Sequence, residues 1–167
     1  MLEDSQSLNC VGAQSIAHAF EYSTSFNMYF RVRWNTLTGY HSIIYWQAPA
    51  PSGDTVANVF LNSGNIWIGH GNVYAAGTMP PTIVENQTYH LWIEWTKGTG
   101  SNGTMKFFIS TTGVKPAAQA TITTGNGGAT GTIFVGPTAA GPDVIYDRLR
   151  VGTSPLGNYG DPPVRLK

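Results

Sequence analysis

The chain has 167 residues, with Lys+Arg and Asp+Glu balanced at 9 each and charged residues at only 11%. That length suffices for one domain with a sizeable core, while the weak, balanced charge excludes the basic footprint that nucleic acid or an anionic membrane requires. A hydrophobic share of 41% excludes intrinsic disorder, and 20 Gly with 10 Pro argue for many turns rather than long helices.

Cys10 is the only cysteine, so no internal disulfide forms. Between Asn9 and Val11 it reads as a small half-buried residue. No apolar run approaches the roughly 18 residues that span a bilayer. The opening MLEDSQSLNC has no basic stretch followed by an apolar one, so it is not a signal peptide. Solubility rests on Thr, Ser, Asn and Gln, a makeup common in extracellular β-proteins. The expectation is an extracellular or cell-surface module, cut from a longer chain or carried on a phage particle.

In chain order, a polar lead-in precedes a first strand at 15–20 (SIAHAF), with a turn at 21–25. Residues 26–34 (FNMYFRVRW) alternate cleanly. Phe26, Met28, Phe30, Val32 and Trp34 form one face; Asn27, Tyr29, Arg31 and Arg33 form the other. Residues 41–47 (HSIIYWQ) are apolar on both sides, as in a central strand. Strands follow at 55–61 and 66–70, joined by an Asn-Ser-Gly-Asn hairpin turn, and at 73–76. A surface connection with Pro80-Pro81 leads to a long hairpin over 88–112. In its first strand Tyr89, Leu91, Ile93 and Trp95 alternate with His90, Trp92, Glu94 and Thr96. GTGSNG at 98–103 turns the chain, since Gly and Asn accept positive φ. Strands at 119–124, 132–135 and 143–152 complete the pattern, and residues 153–167 read as a Pro- and Gly-rich tail. Strands every ten residues or so, with turn signals between, predict an all-β, two-sheet antiparallel β-sandwich with its core at about 15–152.

Three stretches in order, FNMYFRVRW, TYHLWIEWTKGTGSNGTMKFFIS and VIYDRLRVG, resemble the concanavalin A-like lectin/glucanase jelly roll. The likeness is closer to laminin-G-like modules of bacterial polysaccharide-active proteins. It covers most of residues 15–152 and implies the fold, not one activity, because that fold hosts lectins, hydrolases, lyases and adhesion modules. It also implies a structural calcium, with Asp147 of YDRLRV as one ligand and Glu3 or carbonyls of the 21–25 turn as others.

Hydrolases of this fold carry E-x-D-x-x-E on one strand, which places two carboxylates about 5 Å apart. No two strand-borne acids here have that spacing, and Glu94 stands alone on its strand. A lyase needs only a base and cations, which Tyr29, Arg31, His41 and His90 supply if they converge. The strings R-x-E-x-R, Q-I-H and Y-K-x-G-x-Y-x-Q of alginate lyases are absent. Neither zinc spacing nor a phosphate-binding loop is present.

The reading that results is non-catalytic carbohydrate binding on the outer, concave sheet face. Sugar C–H patches stack on aromatic rings, and hydroxyls pair with planar polar groups. Trp92 is the first platform, with Tyr29, Trp46 and Trp67 next; Arg31, His90, Glu94 and Asn27 serve the hydroxyls. Trp34 and Trp95 fall on core faces. The expected partner is a polysaccharide or oligosaccharide bound by a monomer, with weak salt dependence. The alternatives are a lyase or hydrolase of the same fold, and a structural or adhesion module of a phage or cell surface.

Overall fold

The computed structural model describes residues 7–10, 16–37, 40–48, 55–62, 64–76, 82–126, 130–136, 143–152 and 156–158. The described strands are β1 (Ser7–Cys10), β2 (Ile16–Ser23), β3 (Ser25–Trp34), β4 (Tyr40–Gln47), β5 (Thr55–Asn62) and β6 (Asn65–His70). They continue with β7 (Val73–Ala76), β8 (Thr88–Thr96), β9 (Gly103–Ser110), β10 (Ala120–Gly125), β11 (Thr130–Val135) and β12 (Val144–Gly152). They form two antiparallel six-stranded sheets. The first runs β1-β12-β3-β8-β9-β10 and the second β2-β11-β4-β5-β6-β7. The expected β-sandwich is the observed one.

Two local differences from the sequence pattern have plain causes. Ser7–Cys10 is polar and short, yet it is a strand because it pairs with β12, Cys10 opposite Val144. The turn expected at 21–25 shrinks to Thr24 alone, since β2 continues to Ser23. Thr24 is the corner at which the chain leaves the second sheet for the first, and its carbonyl accepts a hydrogen bond from Lys97 N at 2.7 Å.

β3 and β8 pair without interruption from Ser25 opposite Thr96 to Arg33 opposite Thr88. Alternation then turns Phe26, Met28, Phe30, Val32 and Trp34 inward together with Tyr89, Leu91, Ile93 and Trp95. Ile44, Trp46, Val59, Leu61, Ile66 and Ile68 meet them from the second sheet. Phe26 stacks on Trp95 at 5.2 Å and meets Trp46 edge-on at 5.1 Å. Such ring pairs add roughly 0.5–1.5 kcal/mol each beyond the area they bury.

Polar side chains also bridge the layers, the Tyr146 hydroxyl donating to the Ile43 carbonyl at 3.1 Å and His70 from the other side. His70, at the end of β6, is fully buried, and its Nε2–H donates to the Thr96 carbonyl of β8 at 2.9 Å. Its ring stacks on Trp95 at 5.6 Å. Room for it exists because the first sheet offers glycines there. A Cβ on Gly125 would stand 2.3 Å from His70 Cγ, and one on Gly103 2.5 Å from Nε2. Gly125→Ala is therefore expected to cost about 1–3 kcal/mol by overpacking, measured by urea unfolding. Gly152→Ala, whose Cβ would meet only Leu156 Cδ2 at 3.9 Å, is expected to be near neutral. Equal stability of the two variants would contradict the packing of His70 described here.

Candidate functional site

The uninterrupted β3–β8 pairing also sets the outer face of the first sheet. Asn27 lies opposite Glu94, Tyr29 opposite Trp92 and Arg31 opposite His90. β9 extends these rows with Lys106, Phe108 and Ser110. β12 extends them on the other side with Gly152, Arg150 and Asp147. Four of the expected site residues, Tyr29, Arg31, His90 and Trp92, are thus brought together, and Asn27 and Glu94 form the next row.

The middle row is not open. Trp92 is 1% exposed and Tyr29 0%. With Phe108 they form a second apolar cluster, covered by Leu156. The Trp92 indole N–H donates to Gly157 O at 3.0 Å. Lys115 fastens the same strap. Its Nζ donates to Glu94 Oε1 at 2.6 Å and to Leu156 O at 3.3 Å, its backbone N donates to Asn158 Oδ1 at 2.9 Å, and its ammonium sits 4.2 Å from the centre of the Phe108 ring. The expectation of an open indole platform is corrected: residues 156–158 return over it. The polar neighbours that suggested exposure are paired in place, Glu94 with Lys115 and His90 with Tyr29.

The upper row is different in kind. Tyr29 Oη and His90 Nδ1 share a hydrogen bond of 2.8 Å. Arg31 is ion-paired with Asp147. Between Asp147 and Arg150 the β12–β3 register slips, and Arg148 in that bulge has φ 55°. A bulge re-aims side chains at a local cost, and a left-handed conformation costs a non-Gly residue roughly 1–2 kcal/mol. The re-aimed Arg148 charge is felt by Arg31 and by His90. A cleft of about 310 Å³ opens here, lined by Arg31, Val32, Arg33, Thr88, Ile145 and Asp147. The Nε atoms of Arg31, Arg33 and Arg148 are buried without a hydrogen-bond partner. An unmet donor of this kind costs about 1–3 kcal/mol. Arg148 was not singled out in the sequence, nor were Lys115 and Phe108. Phe108 was legible as Trp92's cross-hairpin partner; the bulge that turns Arg148 left no sequence signal.

The remaining expected residues lie elsewhere. Trp46 is 0% exposed in the core, so its proposed stacking role is corrected: β4 turns it inward against Phe26 and Trp95. Trp67 is half-buried on the second sheet, beside Phe60. The Asp147 carboxylate, implied by the resemblance as a calcium ligand, is paired with the Arg31 guanidinium. Glu3 and the side chain of His41 lie outside the described residues. Among the described residues no group of three or more His, Cys, Asp or Glu side chains converges on a point.

No protein-family model and no curated sequence matches the chain. Solved structures do. An endo-β-1,4-glucuronan lyase from the fungus Trichoderma reesei superposes with a TM-score of 0.63 at 12% identity, over 84% of this chain and 74% of that one. The alginate lyase Aly36B gives 0.55 at 12% identity over 87% and 79%. The binding domain of botulinum neurotoxin serotype D gives 0.61 at 12% identity over 91% of this chain but only 40% of that one. The likeness is one of fold. It places the chain among jelly-roll sandwiches, as the resemblance implied, and leaves the site to be argued from its own residues.

Both described histidines with resolved shifts are held below the ordinary imidazole value. Burial does this for His70; for His90 burial is followed by the charges of Arg31 and Arg148. Both are neutral in the folded chain near neutral pH, whereas the unfolded chain takes up protons below about pH 6.5. The unfolded state then binds more protons, so stability is full above that value and is lost as pH falls below it. Thermal unfolding is expected to show Tm falling between about pH 7.5 and about 5.5, less steeply in His90→Gln. A flat profile would contradict two neutral imidazoles, one buried and one half-buried.

Proposed function

We propose that the chain binds an acidic polysaccharide on the outer face of its first sheet, at the arginine cleft beside His90. The observation that carries this is the gathering of cations in an otherwise balanced chain. Four of its five arginines, Arg31, Arg33, Arg148 and Arg150, stand on the neighbouring strands β3 and β12. Two of them, Arg31 and Arg33, line the cleft, and the Nε atoms of these two and of Arg148 are buried without a hydrogen-bond partner. Guanidinium forks match carboxylate and sulfate geometry, so a uronate or sulfated glycan is the class of ligand favoured. That two of the similar folds belong to lyases of glucuronan and alginate is in keeping with this class. The weak salt dependence expected of aromatic stacking on Trp92 gives way to binding that weakens with salt, because charge now carries recognition. The module works outside the cell in this reading, where such polymers are met.

A second reading is favoured by one contact. A neutral His90 hydrogen-bonded to Tyr29, beside Arg31, is the convergence that a uronate lyase requires. His90 would take the proton next to the carboxylate, the C4–O bond would break to leave a C4–C5 double bond, and Tyr29 would protonate the departing oxygen. Binding is preferred because Tyr29 is fully covered and its hydroxyl is engaged.

Affinity electrophoresis through gels holding polyglucuronate or alginate tests both readings. Wild type is expected to be retarded, and Arg33→Gln and Arg148→Gly to lose about tenfold or more in affinity, the worth of one charged hydrogen bond. Arg148→Gly is expected to keep or raise the Tm, since glycine is at ease at positive φ. Mobility that ignores the acidic polymer, or arginine variants that bind as well as wild type, would contradict the proposal. Ultraviolet-absorbing unsaturated product, lost in His90→Gln, would establish the lyase reading.

A further inference from the structure

The outer face of the second sheet is unlike that of the first. β4, β5, β6, β7 and β11 contain no Asp, Glu, Lys or Arg at all. Outward alternation nevertheless sets a run of rings there. Phe60 of β5 is nearly covered by its neighbours: Tyr40 at 5.0 Å, Trp67 at 6.2 Å and Tyr74 at 6.3 Å. Tyr40 and Tyr74 themselves remain 54% and 57% exposed. Towards β11, Tyr45 stacks on Phe134 at 4.6 Å with planes only 3° apart.

A polar group is set among these rings. Asn58 lies on β5 between Tyr45 on β4 and Gly69 on β6. Gly69 leaves the space that Asn58 and Tyr74 use, because a Cβ there would stand 2.3 Å from Asn58 Oδ1 and 2.8 Å from the Tyr74 ring. From Phe134 across Tyr45 and Asn58 to Tyr74 the row crosses four strand spacings, roughly 19 Å. Soluble proteins seldom leave such a surface without use.

We propose that this face is a second carbohydrate site, for an extended neutral polysaccharide, separate from the acidic site of the first sheet. The absence of charge on five strands decides the class. On these five strands a polyanion or polycation would find no counter-charge, while a neutral sugar needs none; the acidic Glu21 stands on β2, at the far edge of the sheet from β7. The exposed rings are tyrosines rather than aliphatic side chains, so each apolar surface carries a hydroxyl. Sugar rings present C–H faces to stack on Tyr40, Trp67 and Tyr74, and hydroxyls to meet the tyrosine hydroxyls and the Asn58 amide. The two sites let one chain lie across an acidic and a neutral polymer on its opposite faces.

The test uses native gels holding hydroxyethylcellulose, xyloglucan or galactomannan, with wild type beside Tyr74→Ala, Trp67→Ala and Arg148→Gly. Wild type is expected to be retarded on at least one of these neutral polymers. Tyr74→Ala, which removes an exposed side chain from the edge strand, is expected to weaken retardation about fivefold to tenfold, as loss of one ring contact does. Trp67→Ala is expected to do the same, and Arg148→Gly to leave it unchanged. Three results would overturn the proposal: no retardation on any neutral polymer, retardation that survives both aromatic variants, or retardation lost with Arg148→Gly. Light scattering that finds a dimer dissolved by Tyr74→Ala would also overturn it, by assigning the face to a second copy of the chain.

Discussion

The pairing of β3 with β8 governs this molecule. Nine consecutive residue pairs, from Ser25–Thr96 to Arg33–Thr88, run without a bulge. A slip of one residue would turn every side chain to the opposite face. Phe26, Met28 and Phe30 would meet water, and Arg31 and Arg33 would enter the core. Burial of five large side chains from β3 and four from β8 resists that slip, at roughly 1.5–3 kcal/mol for each side chain buried. The core thus fixes, as a by-product, the order of the polar groups outside: Arg33 and Thr88, then Arg31 and His90, then Tyr29 and Trp92, then Asn27 and Glu94.

On that fixed row the neighbouring strand is allowed to be irregular. β12 slips between Asp147 and Arg150, and Arg148 takes a conformation that costs a non-Gly residue free energy. The result is a concentration of guanidinium groups on two neighbouring strands, with Arg31, Arg33 and Asp147 lining one cleft. Their mutual repulsion and burial are visible in Arg31, which is held below its ordinary value, by burial first and then by Arg148. The adjoining apolar row is sealed by the strap over Trp92, whereas the cleft opens beside the cationic row.

Much of this was legible in the sequence, and the limits are instructive. Strict alternation in FNMYFRVRW and TYHLWIEWT revealed both strands and both faces, because a sandwich needs one dry side and the period is two. Alternation says which residues point outward, but not whether something lies on top of them. Trp92 points outward and is still buried, since Leu156 and Gly157 come back from a Pro- and Gly-rich segment that has no period. Trp46 sits in a strand apolar on both sides, where alternation cannot choose, and packing against Phe26 and Trp95 chose the core. Arg148 was hidden for a third reason. A bulge inserts an extra residue and breaks the very period on which the reading depends. The ring face of the second sheet was spread over five separate strands, and only their order in space assembles it.

The central claim is that the Arg31, Arg33 and Arg148 guanidiniums meet an anionic glycan. The most direct measurement is a ¹H–¹⁵N NMR titration that follows the arginine Nε–Hε signals as a polyglucuronate oligosaccharide is added. The account predicts saturable shifts of these three signals, diminished by salt and absent with a neutral oligosaccharide of equal length. Signals that stay in place while the acidic oligosaccharide binds, or that move equally with the neutral one, would contradict it.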